Sequence, residues 1–180
     1  MNFWVRGVSE PFRLEPLSEH HDRNLFTCGQ EALDRYLRTR AMQDIRRRIA
    51  TCFVAVEATS GWIAAFYTRA AASIPIADFP AEVTRKLPKY PTLPAVRIGR
   101  LAVDLDFRGK GLGSGLLADA LRRTLASPGA AFAIIVDAKD DDAVAFYRHH
   151  GFQPLIEGAR TLFLSIATAA KTHERLIYHI

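Results

Sequence analysis

Only two cysteines occur in the 180-residue chain, Cys28 and Cys52. They form no Cys-x-x-Cys pair and stand near no histidine at metal-ligand spacing, which excludes a disulfide framework and a cysteine-based zinc site and predicts reduced structural thiols. Long apolar runs are lacking as well. No segment reaches the roughly 18 uncharged residues of a membrane-spanning helix, and Glu10 and Arg13 interrupt the region where a signal peptide would need an unbroken apolar core. A cytoplasmic protein with no membrane partner is expected. The adjacent histidines, His20-His21 and His149-His150, point in different directions on any helix, so shared metal coordination is not expected and no metal is assigned. Internal repeats, low-complexity stretches and Pro/Gly/Ser-rich linkers are also missing, which predicts one domain over residues 1–180 with flexible ends at 1–10 and 171–180.

What the chain does have is apolar mass and a local excess of positive charge. Hydrophobic residues make up 49%, enough for a substantial core in a single α/β unit. The net charge is +5, and residues 61 to 130 carry ten basic against five acidic side chains while the flanks nearly cancel. Arg85, Lys86, Lys89, Arg97, Arg100, Arg108 and Lys110 are opposed in their stretch only by Asp104 and Asp106, which favours a phosphate-bearing ligand or partner.

Periodicity orders the chain. A strand is predicted at Pro11 to Leu17. A helix follows from Gln30 to Arg46, with Leu33, Tyr36, Leu37, Ala41 and Ile45 at helical spacing and Thr27-Cys28-Gly29-Gln30 as its capping box. Ala50 to Ala58 and Trp62 to Ala72, joined by Thr59-Ser60-Gly61, read as an antiparallel hairpin. Between Pro75 and Pro94 one short helix, Ala77 to Leu87, is expected within a surface excursion. Strands at Val96 to Asp104, Ala130 to Asp137, Phe152 to Ile156 and Arg160 to Ile166 then frame helices at Gly111 to Ala126 and Asp141 to His150. The fold class is therefore α/β with a mixed sheet.

Between a strand and a helix stands Asp106-Phe107-Arg108-Gly109-Lys110-Gly111-Leu112-Gly113-Ser114. Free backbone N–H groups and the positive end of a helix dipole make such a place an anion cradle. Glycines at 109, 111 and 113 let the backbone approach a pyrophosphate closely, and Arg108 and Lys110 add charge at the rim. A P-loop would need a hydroxyl residue directly after the lysine, and a Rossmann fingerprint would need Gly-x-Gly-x-x-Gly; neither pattern is met. The plain alternative is a glycine-rich turn that only joins strand to helix.

The segment Arg108-Gly109-Lys110-Gly111-Leu112-Gly113 resembles the acyl-CoA pyrophosphate motif of the GNAT N-acetyltransferases, Arg/Gln-x-x-Gly-x-Gly/Ala after a strand. The run from Asp140 through Ala143, Phe146 and Tyr147 to Gly151-Phe152 resembles the family's second motif. The resemblance implies the GNAT acyl-CoA fold, a mostly antiparallel mixed sheet flanked by helices, with acetyl-CoA as donor. It also implies that Leu101, Ala102 and Val103 present backbone groups to the pantetheine arm, that the backbone N–H near Val103 stabilises the oxyanion, and that Tyr147 protonates the departing thiolate. Ser114 completes the implied CoA-binding set. The family's asparagine is Asp140 here, which when ionised accepts hydrogen bonds and donates none, so capping of the helix that carries Tyr147 is expected in place of a CoA contact.

A narrower resemblance runs from about Phe12 to Ala169, to the GNAT toxins of bacterial toxin–antitoxin modules. It rests on Phe26-x-Cys28-Gly29-x-x-x-Leu33-Asp34-x-Tyr36-Leu37, on Leu93-Pro94-Ala95-Val96, on Gly99 to Asp104 and on Val136 to Asp140. It implies acetylation of the α-amine of aminoacyl-tRNA with arrest of translation, a ribbon-helix-helix antitoxin as partner and a homodimer. Arg85, Lys86, Lys89, Arg97 and Arg100 are the RNA-binding candidates, with Arg46-Arg47-Arg48 behind them. Two alternatives stay open: a GNAT enzyme acting on a small amine or a protein N-terminus, and a non-catalytic CoA-binding regulatory module.

Overall fold

The computed structural model describes residues 12–171 apart from 128 and 157, so the expectations for residues 1–10, Pro11 and most of the C-terminal tail lie outside the described residues. In chain order the elements are β1 (Phe12–Pro16), α1 (Glu31–Thr39), α2 (Ala41–Arg46), β2 (Thr51–Glu57), β3 (Ile63–Pro75), α3 (Ala81–Thr84), β4 (Thr92–Val103), α4 (Leu112–Ala126), β5 (Ala133–Asp137), α5 (Asp141–His149), β6 (Gln153–Pro154) and β7 (Thr161–Ser165). The strands hydrogen-bond in the order β1-β2-β3-β4-β5-β7-β6. Neighbours run antiparallel at β1/β2, β2/β3, β5/β7 and β6/β7 and parallel at β4/β5, a mixed and mostly antiparallel sheet. Residues 166–171 are helical. No helix among the described residues is long and apolar enough to cross a membrane.

The contacts divide the chain into two units, one of residues up to 70 with 99–120 and one of 71–98 with 121 onward. In the first, β2 is buried from Cys52 to Val56, which its unbroken apolar run requires once both faces are covered. Cys52, Val54, Val56, Phe66 and Ala102 meet Tyr36, Leu37 and Ala41 of the helical segment in one core cluster. Phe53 and Tyr67 stack on the other face at 5.2 Å, and the Tyr67 hydroxyl donates to Asp119 of α4 at 2.8 Å. Full burial of Leu37 stabilises the fold by roughly 1.5–3 kcal/mol.

The predicted single helix from Gln30 to Arg46 is two. Thr39 Oγ1 donates back to the Arg35 carbonyl at 2.8 Å, a bond that bends helices, and Arg40, at φ −114°, is at once the C-cap of α1 and the N-cap of α2. The capping box is also corrected. Gln30 stands at the N-cap without a side-chain bond, and Asp34 takes over that work by accepting from the Cys28 N–H at 2.8 Å and the Thr27 hydroxyl at 3.3 Å.

In the second unit Ile74, Phe79, Leu93, Ala95, Ala133, Ile135, Leu155 and Phe163 form the core, with Phe79 edge-on to Phe132 and Phe163. The predicted helix at Ala77 to Leu87 shrinks to one turn, α3, after Pro80 resets the backbone at φ −54°, ψ 139°. Strand β4 begins four residues before its predicted start and includes Pro94, whose carbonyl still accepts from the Phe132 N–H at 2.7 Å. α5 ends in a Schellman-type closure in which the Phe152 N–H reaches the Tyr147 carbonyl at 3.1 Å. Only glycine enters such a turn without strain, and Gly151 has φ +88°.

Candidate functional site

In the first unit β4 delivers the chain into the glycine loop. Leu101 and Val103 are half-buried, while Ala102 alternates into the core. Asp104, buried, then locks the strand end. One carboxylate oxygen accepts from the Asp106 N–H at 2.9 Å and the other from the Thr27 N–H at 2.8 Å, while the Leu105 N–H donates to the Thr27 carbonyl. From this anchor the chain passes through Arg108 into Gly109 and Gly111, both at φ +75°, a conformation that costs other residues roughly 1–2 kcal/mol. A Cβ built on Gly109 meets nothing within 4 Å, so the loop leaves open space on that side. The first i to i−4 bond of α4 runs from the Gly115 N–H to the Gly111 carbonyl at 3.0 Å, and the N–H groups of Leu112 and Gly113 precede it. Positive φ, open space beside Gly109 and a fifteen-residue helix starting at Leu112 are the features of an anion cradle.

One rim residue is placed differently from expectation. The Arg108 guanidinium turns back and donates to the Cys28 carbonyl at 2.7 Å, because the Gly29 turn, at φ +81°, presents that carbonyl to it. Lys110 lies 5.5 Å over the Phe107 ring, and Ser114 is exposed on the first turn of α4. Arg100, on β4, stacks its guanidinium 3.6 Å over the Tyr36 ring.

In the second unit α5 carries Tyr147. Asp140 caps it, accepting the Ala143 N–H at 2.8 Å, and that bond first of all holds the Asp140 carboxyl below its ordinary value. The Tyr147 ring is buried against Phe146 and Phe152 at 5.2 and 5.5 Å. Burial, reinforced by the negative charge of Asp137, pushes its hydroxyl up to about 12. That hydroxyl has no hydrogen-bond partner among the described residues, and it is not sealed from solvent. Arg85, Lys86 and Lys89 are exposed after α3, whereas Arg97 is ion-paired with Asp137.

Residues 48–154 match the family model for the acetyltransferase (GNAT) domain. The chain belongs to the GNAT acetyltransferase family. Among relatives, the "tRNA-acetylating toxin" of Mycobacterium tuberculosis is 38% identical over 151 residues, covering 83% of this chain and 87% of that protein. A solved structure of AtaT complexed with acetyl-methionyl-tRNAfMet is 28% identical, with a TM-score of 0.81 over 92% of this chain and 99% of that one. A mutant AtaT toxin bound to the C-terminus of the antitoxin AtaR and acetyl-CoA is 26% identical, with a TM-score of 0.72 over 93% and 99%.

The GNAT domain model begins at residue 48, yet much of what holds this GNAT loop in place lies before it. Thr27 and Cys28 were read in the sequence as part of a capping box, and Cys28 and Asp34 as parts of a resemblance; the bonds of Thr27 to Asp104, of Arg108 to Cys28 and of Cys28 to Asp34 give them a physical task. The signal available was Asp34 four residues after Gln30, a carboxylate in the first turn where orphan N–H groups need an acceptor.

Proposed function

We propose that this GNAT acetyltransferase is the toxin of a toxin–antitoxin module and transfers acetyl from acetyl-CoA to the α-amine of aminoacyl-tRNA, blocking translation in the cytoplasm. The observation that carries the proposal is the 38% identity to a tRNA-acetylating toxin over most of both chains. The cradle of Gly109, Gly111 and the start of α4 supports acetyl-CoA as donor, since a positive-φ loop open to close approach at a helix start suits an anion such as a pyrophosphate.

The residues divide the chemistry as follows. Arg108 to Ser114 bind the CoA phosphates, with Arg108 also bracing the loop against Cys28. Leu101, Ala102 and Val103 align the pantetheine arm and thioester along β4, and the backbone N–H near Val103 stabilises the oxyanion formed when the amine nitrogen attacks the thioester carbonyl. The new C–N bond forms, the C–S bond breaks, Tyr147 gives its proton to the leaving thiolate, and the proton that the attacking nitrogen sheds passes to solvent and restores the phenol. A phenol held near 12 is fully protonated at neutral pH, as an acid must be, but it is a weaker acid than an ordinary thiol at about 8.5, so its transfer to sulfur is uphill and is drawn forward by the proton that the attacking nitrogen sheds. The nucleophile needs little help. An α-amine titrates near 8, so a good fraction is neutral at physiological pH.

The exposed Arg85, Lys86 and Lys89 and the stacked Arg100 contact RNA phosphates, while Arg97 contributes less because Asp137 neutralises it. An antitoxin covers the site in the resting module, and the active form is a homodimer of single-domain protomers. A cell-free translation extract tests the reading. The protein should arrest synthesis only when acetyl-CoA is present, with acetyl recovered on the aminoacyl group of charged tRNA. Arrest without acetyl-CoA, or acetyl recovered only on protein or small amines, would overturn it.

A further inference from the structure

Within the first unit a cavity of about 470 Å³ opens between α1, α2 and β4, lined among others by Arg35, Tyr36, Arg40, Asp44 and Arg100. Its volume is that of a small-molecule or nucleotide pocket. Three guanidinium groups face it against a single carboxylate, and that carboxylate is already engaged, accepting the Tyr36 hydroxyl at 2.8 Å. Other arginines of this unit are neutralised, Arg13 by Glu15, Arg38 by Glu31 and Arg46 by Glu19. Arg35, Arg40 and Arg100 have no ion-pair partner among the described residues.

The geometry is held, which distinguishes it from scattered surface charge. The Arg100 guanidinium carbon sits 3.6 Å over the centroid of the Tyr36 ring, a cation–π contact that holds the group at the cavity wall. Tyr36 is itself pinned by Asp44 and by a stack on Phe66 at 6.4 Å. The kink at Arg40 breaks the helix at the cavity's edge and brings Arg35 and Arg40 to one side of it.

We propose that this cavity is a phosphodiester-binding subsite, and that it seats backbone phosphates of the terminal nucleotides of the RNA substrate. The inference rests on the reading under Proposed function and adds Arg35 and Arg40 to it. Position along β4 supports RNA over a polypeptide. Arg100 precedes Val103 by three residues, about 10 Å of strand, which is the reach between a reacting aminoacyl end and the phosphates just behind it. Planar guanidinium forks match phosphate oxygens two at a time, and three of them in one concavity suit a chain that carries a charge at every nucleotide.

The test compares the Arg35→Gln/Arg40→Gln double variant with wild type and with Arg13→Gln/Arg38→Gln, which removes the same charge from ion-paired arginines outside the cavity. Both cavity residues are exposed, so their loss should leave folding and acetyl-CoA affinity unchanged. The expected result is a KM for charged tRNA raised about tenfold or more with kcat little changed, and a salt dependence of tRNA binding weakened by about one unit of log-log slope per arginine. Equal KM and salt slope in the two double variants would overturn the subsite and leave the proposed activity standing. Wild type that acetylates no charged tRNA would overturn the activity and the subsite with it. Loss of binding to an acidic antitoxin-tail peptide, with tRNA binding intact, would reassign the cavity to a protein partner and overturn the proposal.

Discussion

Gly109→Ala separates the two demands that the loop places on its glycines. At φ +75° the alanine costs roughly 1–2 kcal/mol of conformational energy, and because its Cβ meets nothing within 4 Å, no steric penalty adds to this in the free protein. For a chain of this size the melting temperature should fall by roughly 3–6 °C. The same Cβ, however, fills the open space where a pyrophosphate must come close to the backbone. Displacing the phosphates removes at least two charge-assisted N–H bonds at about 1.5 kcal/mol each, so acetyl-CoA affinity should drop about hundredfold. Gly61 supplies the internal control, with φ +75° and equally open surroundings but in the β2–β3 turn. Gly61→Ala should lower the melting temperature to a similar extent and leave acetyl-CoA affinity untouched. Calorimetric titration with acetyl-CoA, run beside thermal melts of all three proteins, decides the matter. Affinity of Gly109→Ala within about threefold of wild type would refute the assignment of the cradle.

Tyr147→Phe should bind acetyl-CoA as wild type does yet lose about 10²–10⁴ in kcat, and the wild-type rate should climb with pH through the amine's titration near 8 without falling again below about pH 11; a descending limb between pH 8 and 10 would contradict the assignment. Asp104→Asn keeps one acceptor oxygen and turns an amide N–H₂ toward the Asp106 or Thr27 N–H, so urea unfolding should report a loss of about 1–3 kcal/mol, accompanied by weaker acetyl-CoA binding as the loop loosens. Burial pushes Cys52 up to about 12 from 9.0, so above pH 9 the unfolded chain releases a proton that the folded chain keeps, and stability falls as pH rises. By pH 11 this thiol alone should account for about 3 kcal/mol, which Cys52→Ala should remove from the pH dependence while adding its own cavity cost.

The parts of the site that were legible in the sequence are those built by local chemistry. Glycines at 109 and 111 announce a backbone that turns through positive φ, and Asp140, three residues before Ala143, announces a helix start; both are where expected. The α1–α2 break was hidden because Leu33, Tyr36, Leu37, Ala41 and Ile45 keep one apolar face across it, and a kink that preserves the buried face leaves the periodicity intact. Pro94 concealed the start of β4, since proline weakens a strand reading although its carbonyl still serves the ladder. The Asp104 lock was invisible for another reason. Its partner Thr27 lies 77 residues away, and no local pattern encodes a bond of that reach. The cavity around Arg100 was legible only as excess charge, because the stack on Tyr36 that orients it joins a strand to a helix far apart in the chain.

The most direct test of the central claim is to incubate total charged tRNA with labelled acetyl-CoA and the protein, digest the RNA to nucleosides, and identify by mass spectrometry what carries the label. The account predicts N-acetyl-aminoacyl-adenosine from the tRNA 3′ end with wild type, sharply reduced with Tyr147→Phe, and nothing from deacylated tRNA. Label on a base, on deacylated tRNA or on no RNA at all, from protein that binds acetyl-CoA, would contradict it.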